Sequence, residues 1–66
     1  MQFEIGDRVR FVAAFNVERK YCGQIGVVIE TFYIPADPRQ RVSVRFDAGT
    51  VPGEAAANLE LVERGA

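Results

Sequence analysis

Arg41-Val42-Ser43-Val44-Arg45-Phe46-Asp47 alternates charged or small polar side chains with Val42, Val44 and Phe46. Successive side chains of a strand point to opposite faces, so a period of two predicts a strand with one buried face. Val42, Val44 and Phe46 are then core, while Arg41, Ser43 and Arg45 look outward. The apolar segments before and after this stretch need it as the partner onto which they close.

Immediately before it, Pro35-Ala36-Asp37-Pro38-Arg39-Gln40 holds two prolines and no periodicity, which marks a loop. That loop makes a long hairpin with the apolar run from Gln24 to Ile34. In the run, Ile25, Val27, Ile29, Thr31 and Tyr33 fall on one face, and Gln24, Gly26, Val28, Glu30 and Phe32 on the other. Apolar residues on both faces predict a strand covered on both sides, and its β-branched density argues against a helix. Gly26 inside it points to a bulge, a sharp bend or the close approach of another backbone. A bent second strand is what lets a small barrel close.

Further upstream, Phe3 to Ile5 leads into a Gly6-Asp7 turn and then a strand over Asp7–Ala14. Val9, Phe11 and Ala13 share its inner face, and Arg8 and Arg10 its outer face. Phe15 to Gly23 breaks the alternation and reads as a long loop carrying Phe15, Tyr21 and the sole lysine, Lys20. The two aromatics either fold back as a lid over one end of the barrel or meet a ligand.

Downstream, Ala48 to Glu54 suits a turn at Gly49, a short strand at Thr50–Val51 and a second turn at Pro52-Gly53. Ala55 to Asn58 suits one helical or 3₁₀ turn. Leu59 to Val62 closes the order as a short strand, and the tail from Glu63 to Ala66 is expected to fray. Five short strands with one such turn before the last predict an all-β domain, a small five-stranded SH3-like barrel spanning residues 1–66.

A chain of 66 residues is one domain with a thin core, since a domain near this size buries only roughly 60% of its unfolded surface. One cysteine and no histidine exclude an intrachain disulfide and a Cys/His zinc cluster. No metal or cofactor is expected. Association with a copy of itself or with another protein is the remaining support for so small a core. The formal net charge of −1 lacks the cationic excess of a strong nucleic-acid or membrane binder. No apolar run approaches the ~18 residues needed to cross a bilayer, and the N-terminus lacks the pattern of a signal peptide. A cytoplasmic protein is expected, with Cys22 reduced and serving as a small apolar filler.

Ile5-Gly6-Asp7-Arg8-Val9-Arg10 followed by Gly23-Gln24-Ile25-Gly26-Val27-Val28 resembles the opening of KOW-type domains. Arg19-Lys20-Tyr21-Cys22-Gly23-Gln24-Ile25-Gly26-Val27-Val28 and Val42-Ser43-Val44-Arg45-Phe46-Asp47 are similar to the nitrile hydratase β-subunit barrel. The same late string, with Asn58-Leu59, resembles the small peripheral photosystem I subunit. Gly6-Asp7-Arg8-Val9-Arg10, Gly23-Gln24-Ile25 and Ala56-Ala57…Leu59-Glu60 resemble the type II dihydrofolate reductases of plasmids and integrons. These matches share the requirements of one barrel, so they imply architecture before activity.

The last resemblance implies a tetramer whose central pore binds NADPH and dihydrofolate. Its working residues are a lysine just after the GDRVR string and a Val-Gln-Ile-Tyr motif before the last strand. Phe11 stands where that lysine would be, and Thr50-Val51-Pro52-Gly53-Glu54 stands in place of the motif. A pore for two anionic ligands would lose its cation, its amide and its phenol together. Without histidine the commonest general base is also missing. Cys22 has Arg19 and Lys20 nearby to favour a thiolate but no histidine partner.

The nucleic-acid reading rests on Arg8, Arg10, Arg41 and Arg45 gathering on one outer face. Arg19 and Lys20 would extend that patch, and Tyr21 or Phe15 would stack on bases. Nine carboxylates oppose it, and cross-strand ion pairs are the simpler account. The favoured expectation is a non-enzymatic interaction module or small accessory subunit. Its candidate surface is Arg8, Arg10, Phe15, Arg19, Lys20, Tyr21, Arg41 and Arg45.

Overall fold

The computed structural model describes residues 2–12 and 19–65, with Arg19 described for its backbone only. The alternating stretch forms β3, Gln40–Phe46, and it does pair on both sides, with β2 (Gly26–Tyr33) and β4 (Gly49–Ala55). β1 (Arg8–Phe11) and β5 (Leu59–Glu63) complete one antiparallel sheet in the order β4-β3-β2-β1-β5. A 3₁₀ turn at Ala56–Asn58 carries the chain from β4 to β5. Five strands and a 3₁₀ turn before the last make the small all-β domain that the sequence predicts. No described helix is long and apolar enough to cross a membrane.

The core is Phe3, Val9, Tyr21, Val28, Val42, Val44, Phe46 and Leu59. Phe11 stacks on Phe46 at 5.7 Å between centroids, and Tyr21 tilts against the same ring at 5.2 Å. Gly26 faces inward, where an added Cβ would lie 2.5 Å from Val44 Cγ1 and 2.8 Å from the Phe46 ring. The close approach predicted there is therefore to side chains of β3 and not to another backbone.

Three expected details change. Pro52-Gly53 is no second turn: β4 runs through it, and the two residues form a bulge opposite Ser43 (Val42 pairs with Glu54, Val44 with Val51). β2 has its own bulge, because Val28 pairs with Val44 and Glu30 with Ser43, leaving Ile29 over. A one-residue insertion exchanges the faces of everything beyond it. Thr31 accordingly joins buried Val42 and Phe32 pairs with Arg41; separately, Ile25, before the strand, and Ile29, at the bulge, are exposed instead of being covered.

The third change is the tail. Gly6 takes a positive φ of 97°, closing a Glu4–Asp7 turn that buries the Asp7 side chain. Asp7 Oδ1 accepts from the Gly65 N–H at 2.9 Å, and Oδ2 from Arg64 at 2.8 Å and from the Glu4 N–H at 2.8 Å. The end of the chain is thus fastened to the start of β1 as far as Gly65.

Candidate functional site

Cross-strand partners in a sheet project to the same face, so the register places side chains together. Arg8 pairs with Glu63 on β5 and with Val27 on β2, and Val27 pairs with Arg45, which pairs with Thr50. Glu63, Arg8, Val27, Arg45 and Thr50 therefore form one row across the outward face. Val9, Val28 and Val44, their chain neighbours or next neighbours, are wholly buried on the other side. Ile25, just before β2, and Ile29, at its bulge, stand two residues either side of Val27 and are 52% and 40% exposed.

The first and third strands do bring Arg8 and Arg45 to one face, separated by one strand, or about 10 Å at the usual spacing. Arg10 lies on that face but is held by Glu60, its register partner on β5. Arg41 is half-buried, donates from Nη1 to the Gly53 carbonyl at 3.0 Å, and keeps its Nε buried without an acceptor among the described residues. Expected to point freely outward, Arg41 is instead drawn into the bulge of β4. Ser43 is corrected in the same way: it is buried, donating to Glu30 Oε1 at 3.1 Å and accepting from the Gly53 N–H at 3.3 Å.

Arg19 and Lys20 sit on a 3₁₀ turn, Arg19–Tyr21, within the segment expected to be loop. Tyr21 turns inward against Phe46 and is buried, so its ring packs as the lid reading has it and offers no face for stacking. Lys20 Nζ lies 5.2 Å from the Tyr21 ring centroid. Cys22, expected as an apolar filler, is exposed; Tyr21 takes the inward place and the chain turns away after it, with the Gln24 N–H donating to the Tyr21 carbonyl at 3.3 Å. Phe15 lies outside the described residues.

Among the six arginine side chains described, Arg10, Arg39, Arg41 and Arg64 have protein partners. Arg8 and Arg45 have none among the described residues. Asp37 explains Arg39: the guanidinium hydrogen bond, with the Arg39 backbone N–H, holds the Asp37 carboxyl down at about 2 and raises Arg39 in turn.

A second feature is a cleft of about 890 Å³. Tyr33, Pro38, Arg39, the Ala55–Asn58 segment and the start of β5 line it. Gln40, which the sequence leaves in a loop, closes its inner end. Its amide accepts from the Phe3 N–H at 2.8 Å and donates to the Phe3 carbonyl at 2.9 Å. Among the described residues no three His, Cys, Asp or Glu side chains gather as metal ligands.

Comparison with protein-family models, with curated proteins and with solved structures finds no match for this chain.

Proposed function

We propose that the protein is a non-enzymatic interaction module or small accessory subunit that works bound to a copy of itself or to a protein partner. One observation carries the reading. Seven large hydrophobic residues among those described are at least 40% exposed: Ile5, Val12, Ile25, Ile29, Tyr33, Ile34 and Val62. Scattered single residues need no explanation, but exposed Ile25 just before β2, half-buried Val27 and exposed Ile29 within it follow one another at alternate positions. A core of eight buried side chains gains from any further apolar surface removed from water.

Among the described residues, the nucleic-acid reading keeps Arg8 and Arg45 as cations without a protein partner on that face, and it loses the buried Tyr21 ring. Light scattering over a concentration series tests the proposal. A mass above that of the 66-residue monomer, or a stoichiometric protein carried through purification, supports it. A strict monomer with no companion protein overturns it.

A further inference from the structure

The outward row reads Glu63, Arg8, Val27, Arg45 in register order, with one charge sign at its β5 end and the other at its β3 end. We infer that this face is a two-fold self-association surface, in which Glu63 of each copy meets Arg45 of the other. The inference rests on the interaction-module reading and names the face and the occupant.

A face-to-face dimer has its two-fold axis in the plane between the sheets. With the axis along the strand direction and midway between Arg8 and Val27, the row is reversed in the second copy. Glu63 then opposes Arg45, and the methylene stem of Arg8 covers Val27. An axis along the row instead sets Arg8 on Arg8 and Arg45 on Arg45, which like-charge repulsion disfavours. Arg10 and Glu60 neutralise each other beside the row. Ile25 and Ile29 supply apolar area on either side of Val27.

The area is reachable. An interface of about 1,000 Å² in total takes about 500 Å² from each copy. The chain exposes 4531 Å², so roughly a ninth of its surface is needed.

The same row carries the alternative occupants, an acidic protein segment or a polyanion, since Arg8 and Arg45 have no partner among the described residues. A second copy is favoured because the row supplies its own carboxylate at the matching position.

Sedimentation equilibrium of the whole chain, from about 10 μM to 1 mM to span weak and standard-size interfaces, tests the inference with R45E, E63R and the double variant R45E/E63R. Both positions are exposed, and circular dichroism checks that each variant folds. The expected result is self-association of the wild type, a loss of about tenfold or more in each single variant, and recovery in the double variant. Val27→Thr, which preserves shape and charge, is expected to weaken the dimer as well. A wild type that associates equally well with R45E and E63R overturns this face while leaving the interaction module standing. A monomeric wild type that captures nothing overturns both. A monomer that retains a nucleic-acid probe in a salt-sensitive way, lost in R45E, overturns the inference in favour of a polyanion.

Discussion

The Gln40 side chain brackets the backbone of Phe3, accepting from its N–H and donating to its carbonyl, 37 residues away in sequence. A carboxamide thereby does the work of a strand neighbour for a segment that has none. Both groups of Phe3 are satisfied at a buried place, and the Phe3 ring is held in the core. Replacing Gln40 by Leu keeps the volume and removes both bonds, so two buried backbone groups lose their partners. The expected cost is about 2–3 kcal/mol, read as a lower denaturation midpoint at unchanged m-value, with faster amide exchange at Phe3.

Asp7 is the buried carboxylate among the described residues, and it accepts three hydrogen bonds. Burial alone pushes its carboxyl up, but the N–H groups of Glu4 and Gly65, with the charge and hydrogen bond of Arg64, together outweigh that and hold it below its ordinary value. A carboxyl lowered in the folded state contributes stability above its unfolded pKa of about 3.9 and loses it as pH falls through the lower folded value. The wild type is expected to weaken below about pH 4. Asp7→Asn should be less stable at neutral pH by about 2 kcal/mol and show a flatter acid limb. Urea titrations at several pH values check this; parallel acid limbs in the two proteins contradict it.

Gly26 tests the inner face of β2. Its Cβ would enter space held by Val44 and Phe46, both buried and unable to swing aside. Gly26→Ala should cost about 1–3 kcal/mol through overpacking. Thermal unfolding checks it, and a neutral substitution would show that the strands can part there.

Ser43 lies opposite a bulge on either side, Ile29 in β2 and Pro52-Gly53 in β4. Its hydroxyl takes the Gly53 N–H that the irregular ladder leaves over and ties it to Glu30. Ser43→Ala is expected to destabilise by about 1 kcal/mol and to speed exchange at Gly53 above all other β4 amides.

Those bulges also mark where the sequence is legible and where it is not. Val42, Val44 and Phe46 read correctly as core because β3 itself has no inserted residue. The 3₁₀ turn before β5 and the number of strands are likewise legible in turn residues and alternation, while the extent of β4 through Pro52-Gly53 is not. Ser43, Arg41 and the far half of β2 were misplaced because their neighbours carry the insertions, and period-two reading cannot see a partner strand. Gln40 and Asp7 escaped for another reason. Both sit at turn positions where polar residues are ordinary, and their bonding partners lie 37 and 58 residues away. Of the candidate surface, alternation puts Arg8 and Arg10 on one face of β1 and Arg45 on the outward face of β3, the strand order brings those faces to one side of the sheet, and the buried Tyr21 agrees with the lid reading of its loop.

The central claim is that association uses the outward face of β5, β1, β2 and β3. Dilution of ¹⁵N-labelled protein, followed amide by amide, tests it most directly. The predicted result is concentration-dependent shifts at Ile25, Val27, Ile29, Arg45 and Glu63, with the cleft residues Ala57 and Asn58 unmoved. Shifts confined to the cleft, or none at all across the series, would contradict it.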